Sequence, residues 1–283
     1  MKVLLTGGAG QVGQEVLRRV PQGWVVSAPG RADLDLEDAG AAAAAVAGHD
    51  AVLNLAAFTA VDAAEAEEAR AFRVNAAAPT AMAGAAAASG AVFIHLSTDY
   101  VFGGPGPHRP DSPTAPLSAY GRSKLAGEAG IRGAGGRYAI LRTSWIFSAH
   151  RSNFVRTMLR LGQSQAQIEV VDDQWGAPTP AVAVAETVLR LAGALSNGSL
   201  RSGIWHYAGA PDTTWAGFAR EICAQSRSAA RIIPIGSEDW PAPARRPRDS
   251  RLACADLCAA LNIPRPDWRE GLKDVLKELE VPA

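Results

Sequence analysis

A short apolar run, Lys2-Val-Leu-Leu-Thr6, leads straight into Gly7-Gly-Ala-Gly-Gln-Val-Gly13, and Val12, Val16, Leu17 and Val20 then recur at helical spacing. The run reads as a buried parallel strand and the spacing after it as a helix. A strand that turns into a helix through glycines, at the very start of a chain, points to the first unit of a parallel α/β sheet. Two spacings fit, Gly8-x-Gly10-x-x-Gly13 and Gly7-x-x-Gly10-x-x-Gly13. Either places the backbone N–H groups of Gln11 and Val12 at a helix N-terminus, where open donors and the helix dipole stabilise a pyrophosphate. Gly7, Gly10, Gln11, Val12 and Gly13 are therefore candidate dinucleotide-binding residues. The competing reading is a plain tight turn.

The rest of the chain extends this pattern. Residues 24–28, 51–57, 91–97 and 138–144 read as further strands, and 63–89 as a long Ala-rich helical region. The expected fold is α/β, a Rossmann-type doubly wound parallel sheet with a smaller C-terminal substrate domain. The dinucleotide-binding domain is expected over 1–145, with a segment at about 166–200 returning to it. Residues 146–283 are expected to form mainly the substrate domain, with strands at 168–171, 203–207 and 231–235. Balanced charge, 28 acidic against 28 basic residues, argues against a nucleic-acid partner. Three cysteines make no disulfide framework, and with no His beside Cys254 or Cys258 they do not read as a metal site. The N-terminus lacks the order of a signal peptide and no run of 18 apolar residues occurs, so a soluble, cytoplasmic chain without a membrane partner is expected.

Candidate site residues collect at the carboxyl ends of the expected strands, where open α/β sheets bind ligands. The second strand ends Pro29-Gly30-Arg31, without the usual acid for the adenosine ribose. Arg31 pairs with a 2′-phosphate or is a solvated loop residue, which leaves NADPH and NADH both open. Asp35 and Leu36 reach the adenine edge, or Asp35 serves as a helix cap. The loop Phe58-Thr-Ala-Val-Asp62 borders the cofactor, and Asn75 either orients backbone there or is a satisfied structural residue. The fourth strand runs into Thr98-Asp-Tyr-Val-Phe102, where the Thr98 hydroxyl can donate to a carbonyl oxygen. His95, within that strand, reads as a packed core residue rather than a base. In Ser118-Ala-Tyr-Gly-Arg-Ser-Lys124, Tyr120 and Lys124 stand one helical turn apart. The ammonium is expected to lower the phenol pKa, so that Tyr120 serves as a proton donor near neutral pH. Trp145 offers an apolar face to a sugar ring or packs in the core. Arg245, Arg246 and Arg248 grip a phosphate-bearing ligand or decorate a solvated loop.

Taken together, Thr6-Gly7-x-x-Gly10-x-x-Gly13, Thr98 and Tyr120-x-x-x-Lys124 resemble the extended short-chain dehydrogenase/reductase family. Within it the chain is most similar to the dTDP-4-dehydrorhamnose reductases. The carrying stretches are Asn54–Glu65, Ser97–Phe102, Tyr120–Glu128, Leu141–Trp145, Asn153-Phe154, Asp173-Gln-x-Gly-x-Pro-Thr179 and Arg246-Pro-x-x-Ser250-x-Leu252. The resemblance implies reduction by NADPH or NADH of the C4 ketone of a dTDP-linked 4-keto-6-deoxy sugar, dTDP-4-dehydro-L-rhamnose, to dTDP-L-rhamnose. Another nucleotide-deoxysugar 4-ketoreductase, of the antibiotic-sugar or talose type, or a non-catalytic NADP-binding regulatory subunit, are the alternatives. By the resemblance Tyr120 protonates the alkoxide, Lys124 lowers its pKa and holds the nicotinamide ribose, and Thr98 polarises the carbonyl. Ala56, Ala57 and Phe58 line the cofactor, while Thr59, Asp99, Tyr100, Trp145, Asn153 and Arg246 meet the substrate. The chain departs from the family at Gly103, where an Asp is common, and at the missing acid of the second strand. Glu15 matches one glutamate of a magnesium-linked dimer in some members; the other ligands find no match, so no metal is expected, and the chain is a monomer or homodimer.

Overall fold

The computed structural model describes residues 1–281. Strands covered on both faces need apolar residues at successive positions, and the central strands have them. Strand β1 spans Lys2–Thr6, β2 Val25–Ser27, β3 Ala51–Asn54, β4 Val92–Thr98 and β5 Arg137–Thr143. With Gly203–His206 they form one six-stranded parallel sheet in the order Gly203–His206, β5, β4, β3, β1, β2. Successive side chains alternate between faces. Val3, Leu5 and Leu53 thus pack against helix α1, Gln11–Arg18, and against the helix Ala181–Ser196. Leu4, Val52 and Phe93 pack on the opposite side, beneath the helices Ala78–Ser89 and Ala119–Ala134. Fully burying one such side chain stabilises the fold by about 2 kcal/mol. The strand β2 closes one edge and is largely exposed.

A second apolar core lies apart from the sheet. Phe147, Ile168, Phe218, Ile232, Trp268 and Leu272 meet there, around two strands, Gln167–Val171 and Arg231–Ile235, that pair in parallel. The expected return of residues 166–200 to the first core is therefore shifted. Gln167–Val171 belongs to the second core, while the helix Ala181–Ser196 and the strand Gly203–His206 return to the first. The physical reason is pairing: Gln167–Val171 takes its hydrogen-bond partner from Arg231–Ile235 and not from the large sheet. The Ala-rich region is also not one helix. It breaks into Val61–Ala66, Glu68–Phe72, a π-helical turn at Arg73–Ala77, and Ala78–Ser89. No helix among the described residues is long and apolar enough to cross a membrane.

Candidate active site

The glycine turn builds one wall of a cavity of about 330 Å³ at the carboxyl ends of β1 and β2. Gly7 has φ of +77°, and a Cβ there would meet the Ala56 backbone N at 2.7 Å. Gly13 does not line the cavity; a Cβ on it would drive into the Gly7 carbonyl oxygen and meet Gly8 Cα at 2.7 Å. Its role is to let α1 close onto the turn. No side chain caps α1, so the donors at its N-terminus are left for a ligand. Gly7, Gly10, Arg31, Asp35, Leu36, Ala56, Ala57 and Phe58 are brought together around this cavity, so the open helix end and the glycine cradle fit a dinucleotide. Gln11 and Val12 stand outside the lining. Val12 is buried, and the Gln11 side chain turns away to accept from Ser148 Oγ at 2.9 Å and Asn153 Nδ2 at 3.0 Å. Arg31 lines the cavity with its guanidinium 3.2 Å from Glu37, which also receives Arg70 and Arg73. Those two arginines hold the Glu37 carboxyl below its ordinary range. Arg70 and Arg151 also line the cavity, and neither was marked by a motif.

Beyond Phe58 the cavity wall meets the reactive groups, since Phe58 and Tyr120 pack in one small apolar cluster. Ser118 caps the helix Ala119–Ala134 by accepting from Gly121 N at 3.2 Å. That cap sets Tyr120 in the first turn and Lys124 one turn on, against the end of β4. Asn75 ties the two regions: its side chain accepts from Phe58 N at 2.8 Å, donates to Phe58 O at 3.0 Å, and donates to Ser123 Oγ at 2.9 Å. It does so from the π-helical turn, the kind of local irregularity that functional sites often carry. Thr98 Oγ1 accepts from Tyr100 N at 3.1 Å and donates to Asp99 Oδ1 at 3.1 Å. The Tyr100 and Tyr120 rings meet edge to face at 6.0 Å.

Electrostatics correct one expectation. Burial pushes the Tyr120 phenol up to about 12; the Thr98 hydroxyl pulls it part of the way back and the Asp99 charge raises it further. Lys124 does not lower it, because the Lys124 ammonium is directed to the Leu96 carbonyl at 2.7 Å and to His95 Nε2 at 3.0 Å. Burial brings Lys124 itself down to about 8, against the opposing charge of Glu128. Tyr120 is therefore held as the loaded acid, not as a phenolate. Asp99, also buried, rises to about 7, and burial next to Asp99 raises Tyr100 as well.

Two further cavities collect several of the residues expected to meet substrate. One, of about 590 Å³, is lined by Gly103, Arg245, Arg246 and Arg248, so the three arginines do share one site. The other, of about 280 Å³, is lined by Phe154, Met158, Trp215 and Trp240. Gln174, Trp240 and Arg246 border both. Arg246 donates to Asp62 at 2.8 Å and lies against the Tyr100 hydroxyl, which joins these cavities to the Tyr100–Tyr120 pair. Trp145, with φ of +46°, stacks on Trp215 at 3.7 Å. Thr59 is exposed. Asn153 is a correction: its Oδ1 accepts from Arg156 N at 3.2 Å as a helix cap and its Nδ2 bonds Gln11 and Ser148, so the amide is spent within the chain.

One buried pair went unread in the sequence, and a second cluster was met there only at Glu15. Arg142 and Glu128 form a fully buried pair at 2.6 Å, and Arg142 also lies over the Phe102 ring. The signal was available: an arginine inside an apolar strand requires a buried acid. The second surrounds Glu15, which meets His150 at 2.9 Å, Arg18 at 3.5 Å and Arg19. Glu15, His150 and Glu278 offer ligand atoms within 4.8 Å of one another. Arg18 and Arg19, however, already supply the counter-charge that a divalent ion would.

Comparison with known proteins bears on the family and the fold. The family model described as RmlD substrate binding domain matches residues 1–281. The chain is 41% identical to a dTDP-4-dehydrorhamnose reductase of Burkholderia thailandensis, covering 99% of each chain. A crystal structure of a dTDP-4-dehydrorhamnose reductase from Clostridium acetobutylicum superposes with a TM-score of 0.92 at 32% identity, covering 99% of this chain and 100% of that one. One from Bacillus anthracis, in complex with NADP, gives 0.90 at 30% identity over 98% and 99% of the two chains.

Proposed function

The chain belongs to the RmlD substrate binding domain family, and from that premise we propose that it reduces the C4 ketone of dTDP-4-dehydro-L-rhamnose with NADPH or NADH, giving dTDP-L-rhamnose. The observation that carries this reading is the convergence of Thr98, Tyr120 and Lys124 at the end of β4, beside a cavity fitted to a dinucleotide. Gly7, Gly10, Ala56, Ala57 and Phe58 would hold the cofactor, with Arg31 and Arg70 near its adenosine end. The bound dinucleotide supplies the hydride that reduces the ketone carbon.

The chain itself supplies the proton and the geometry. Tyr120, kept protonated by burial, delivers its phenolic proton to the oxygen at C4. Thr98 turns its hydroxyl from Asp99 to that oxygen and stabilises the negative charge as it develops. Lys124, charged below about pH 8, stands one helical turn from Tyr120 with its ammonium held by the Leu96 carbonyl and His95. Arg246, with Arg245 and Arg248 around it, suits the diphosphate, and the cavity walled by Phe154, Trp215 and Trp240 suits a pyrimidine base. Membership of this site by Tyr100 follows from its contact with Arg246. We read the protein as a cytoplasmic enzyme acting as a monomer or homodimer.

The test is a panel of dTDP- and GDP-linked 4-keto sugars, with cofactor oxidation followed by absorbance and product configuration read by NMR. Turnover is expected with dTDP-4-dehydro-L-rhamnose and the L-rhamno product. Tyr120→Phe is expected to lower kcat roughly a hundredfold or more. Normal turnover in that variant, or a different product configuration, overturns the reading.

A further inference from the structure

A row of buried polar side chains lies behind Lys124. Parallel register aligns Thr6 with Asn54 and Asn54 with His95 across β1, β3 and β4. All three are buried, as is Lys124, which lies over the end of the row. Thr6 Oγ1 is 2.7 Å from Asn54 Oδ1, Asn54 Nδ2 is 3.0 Å from His95 Nδ1, and His95 Nε2 is 3.0 Å from Lys124 Nζ. Thr6 and Ala56, at the far end, line the cofactor cavity. A continuous hydrogen-bonded row therefore joins that cavity to the lysine.

Donor and acceptor counting gives the row two complete states. An ammonium has only donors, so His95 Nε2 must accept from it, and the imidazole is neutral with its proton on Nδ1. That Nδ1–H then needs the Asn54 oxygen, so the amide turns over from the orientation in which its Oδ1 accepts from Thr6, and donates to Thr6 instead. If the amide instead donates to Nδ1, the ring proton sits on Nε2 and requires a neutral Lys124 amine. Each charge state of Lys124 thus fixes one tautomer of His95 and one orientation of Asn54.

We propose that His95 is a positioning residue for the reduction: neutral and held by Asn54 and Thr6, it accepts from Lys124, stabilises the ammonium and leaves one Lys124 N–H for the Tyr120 side of the site. The second N–H is taken by the Leu96 carbonyl at 2.7 Å, and the third has no further partner among the described residues. Burial and the Lys124 charge keep His95 neutral. The other charged groups around the lysine are Glu128 on its own helix, paired with Arg142 from β5, and Asp99, which faces Tyr120. Glu128 cannot replace the imidazole as an acceptor without leaving Arg142. The inference rests on the reductase reading for its kinetic test, but not for its spectroscopic one.

The experiment compares the intact protein with His95→Phe and His95→Gln. With NADPH and dTDP-4-dehydro-L-rhamnose, the alkaline limb of the kcat profile is expected to move down by about one pH unit in His95→Phe, the size of a hydrogen bond to a charged group. KM for NADPH should change less than about twofold, and His95→Gln, whose amide oxygen can still accept, should restore most of the limb. Nitrogen-15 NMR of the His95 ring needs no turnover. It should show a neutral Nδ1–H imidazole at pH 7 that converts to Nε2–H as Lys124 titrates. An unchanged kcat profile in a folded His95→Phe, or a ring that is charged or Nε2–H at pH 7, overturns the proposal. If no sugar is turned over but the ring titrates as described, the reductase reading fails and the Lys124–His95 coupling stands.

Discussion

Replacing Asp99 by Asn should make the protein more stable, and more so at high pH. Asp99 is 2% exposed, and its Oδ2 has no hydrogen-bond partner. Burial moves its carboxyl from 3.8 to about 7, with the neighbouring Ser250 and Thr98 hydroxyls offsetting only part of the effect. The fold therefore binds this proton more tightly than the unfolded chain does. Stability is lost as pH rises from the unfolded value towards the folded one, and the loss is complete above about pH 7. At about 1.4 kcal/mol per pH unit the difference amounts to about 4 kcal/mol, of which about 2 kcal/mol is already lost at pH 5. Asparagine keeps the shape and one acceptor for Thr98, and it cannot ionise. Urea unfolding followed by tryptophan fluorescence, from pH 5 to pH 9, measures the gap between Asp99→Asn and the parent. The gap should widen from about 2 to about 4 kcal/mol and then level off, at unchanged urea dependence. A gap that is constant with pH, or that favours the parent at pH 8, refutes the claim that burial raises the Asp99 carboxyl. A carboxyl kept at such a cost beside Thr98 and Tyr120 fits a site where stability yields to function.

Two more perturbations test the scaffold. Gly13→Ala forces a Cβ into the Gly7 carbonyl, so it should raise the dissociation constant for NADPH at least tenfold in calorimetry and cost about 2 kcal/mol of stability. Glu128→Gln leaves Arg142 buried without its counter-charge and should lower stability by roughly 3 to 5 kcal/mol in the same urea assay.

The parts of the molecule that follow local rules were readable from the chain. The strand–glycine–helix start, the four strands after it and the Tyr120–Lys124 spacing depend on periodicity and on contacts within a turn or two. They supply five strands of the six-stranded parallel sheet, with both groups near the end of β4; the sixth, Gly203–His206, was expected in the C-terminal domain. What escaped was set by distant partners. Lys124 was expected to act on Tyr120, but a histidine and a carbonyl on β4 reach it directly, and that depends on how the helix lies on the sheet. Asn153 looked like a ligand group, yet Gln11, 142 positions away in sequence, takes its amide. Gln167–Val171 had the apolar pattern of any strand, and its membership of the second core was decided by Arg231–Ile235.

The amide of Asn75 has a wider consequence. It clasps both backbone groups of Phe58 and, through Ser123, which bonds the Tyr120 carbonyl at 2.8 Å, the opening turn of the helix that carries the acid. On the proposed reading, seating the dinucleotide against Phe58 and aiming the phenol are therefore a single mechanical event. A displacement of one drags the other, so the enzyme cannot grip its reductant loosely and still present its proton.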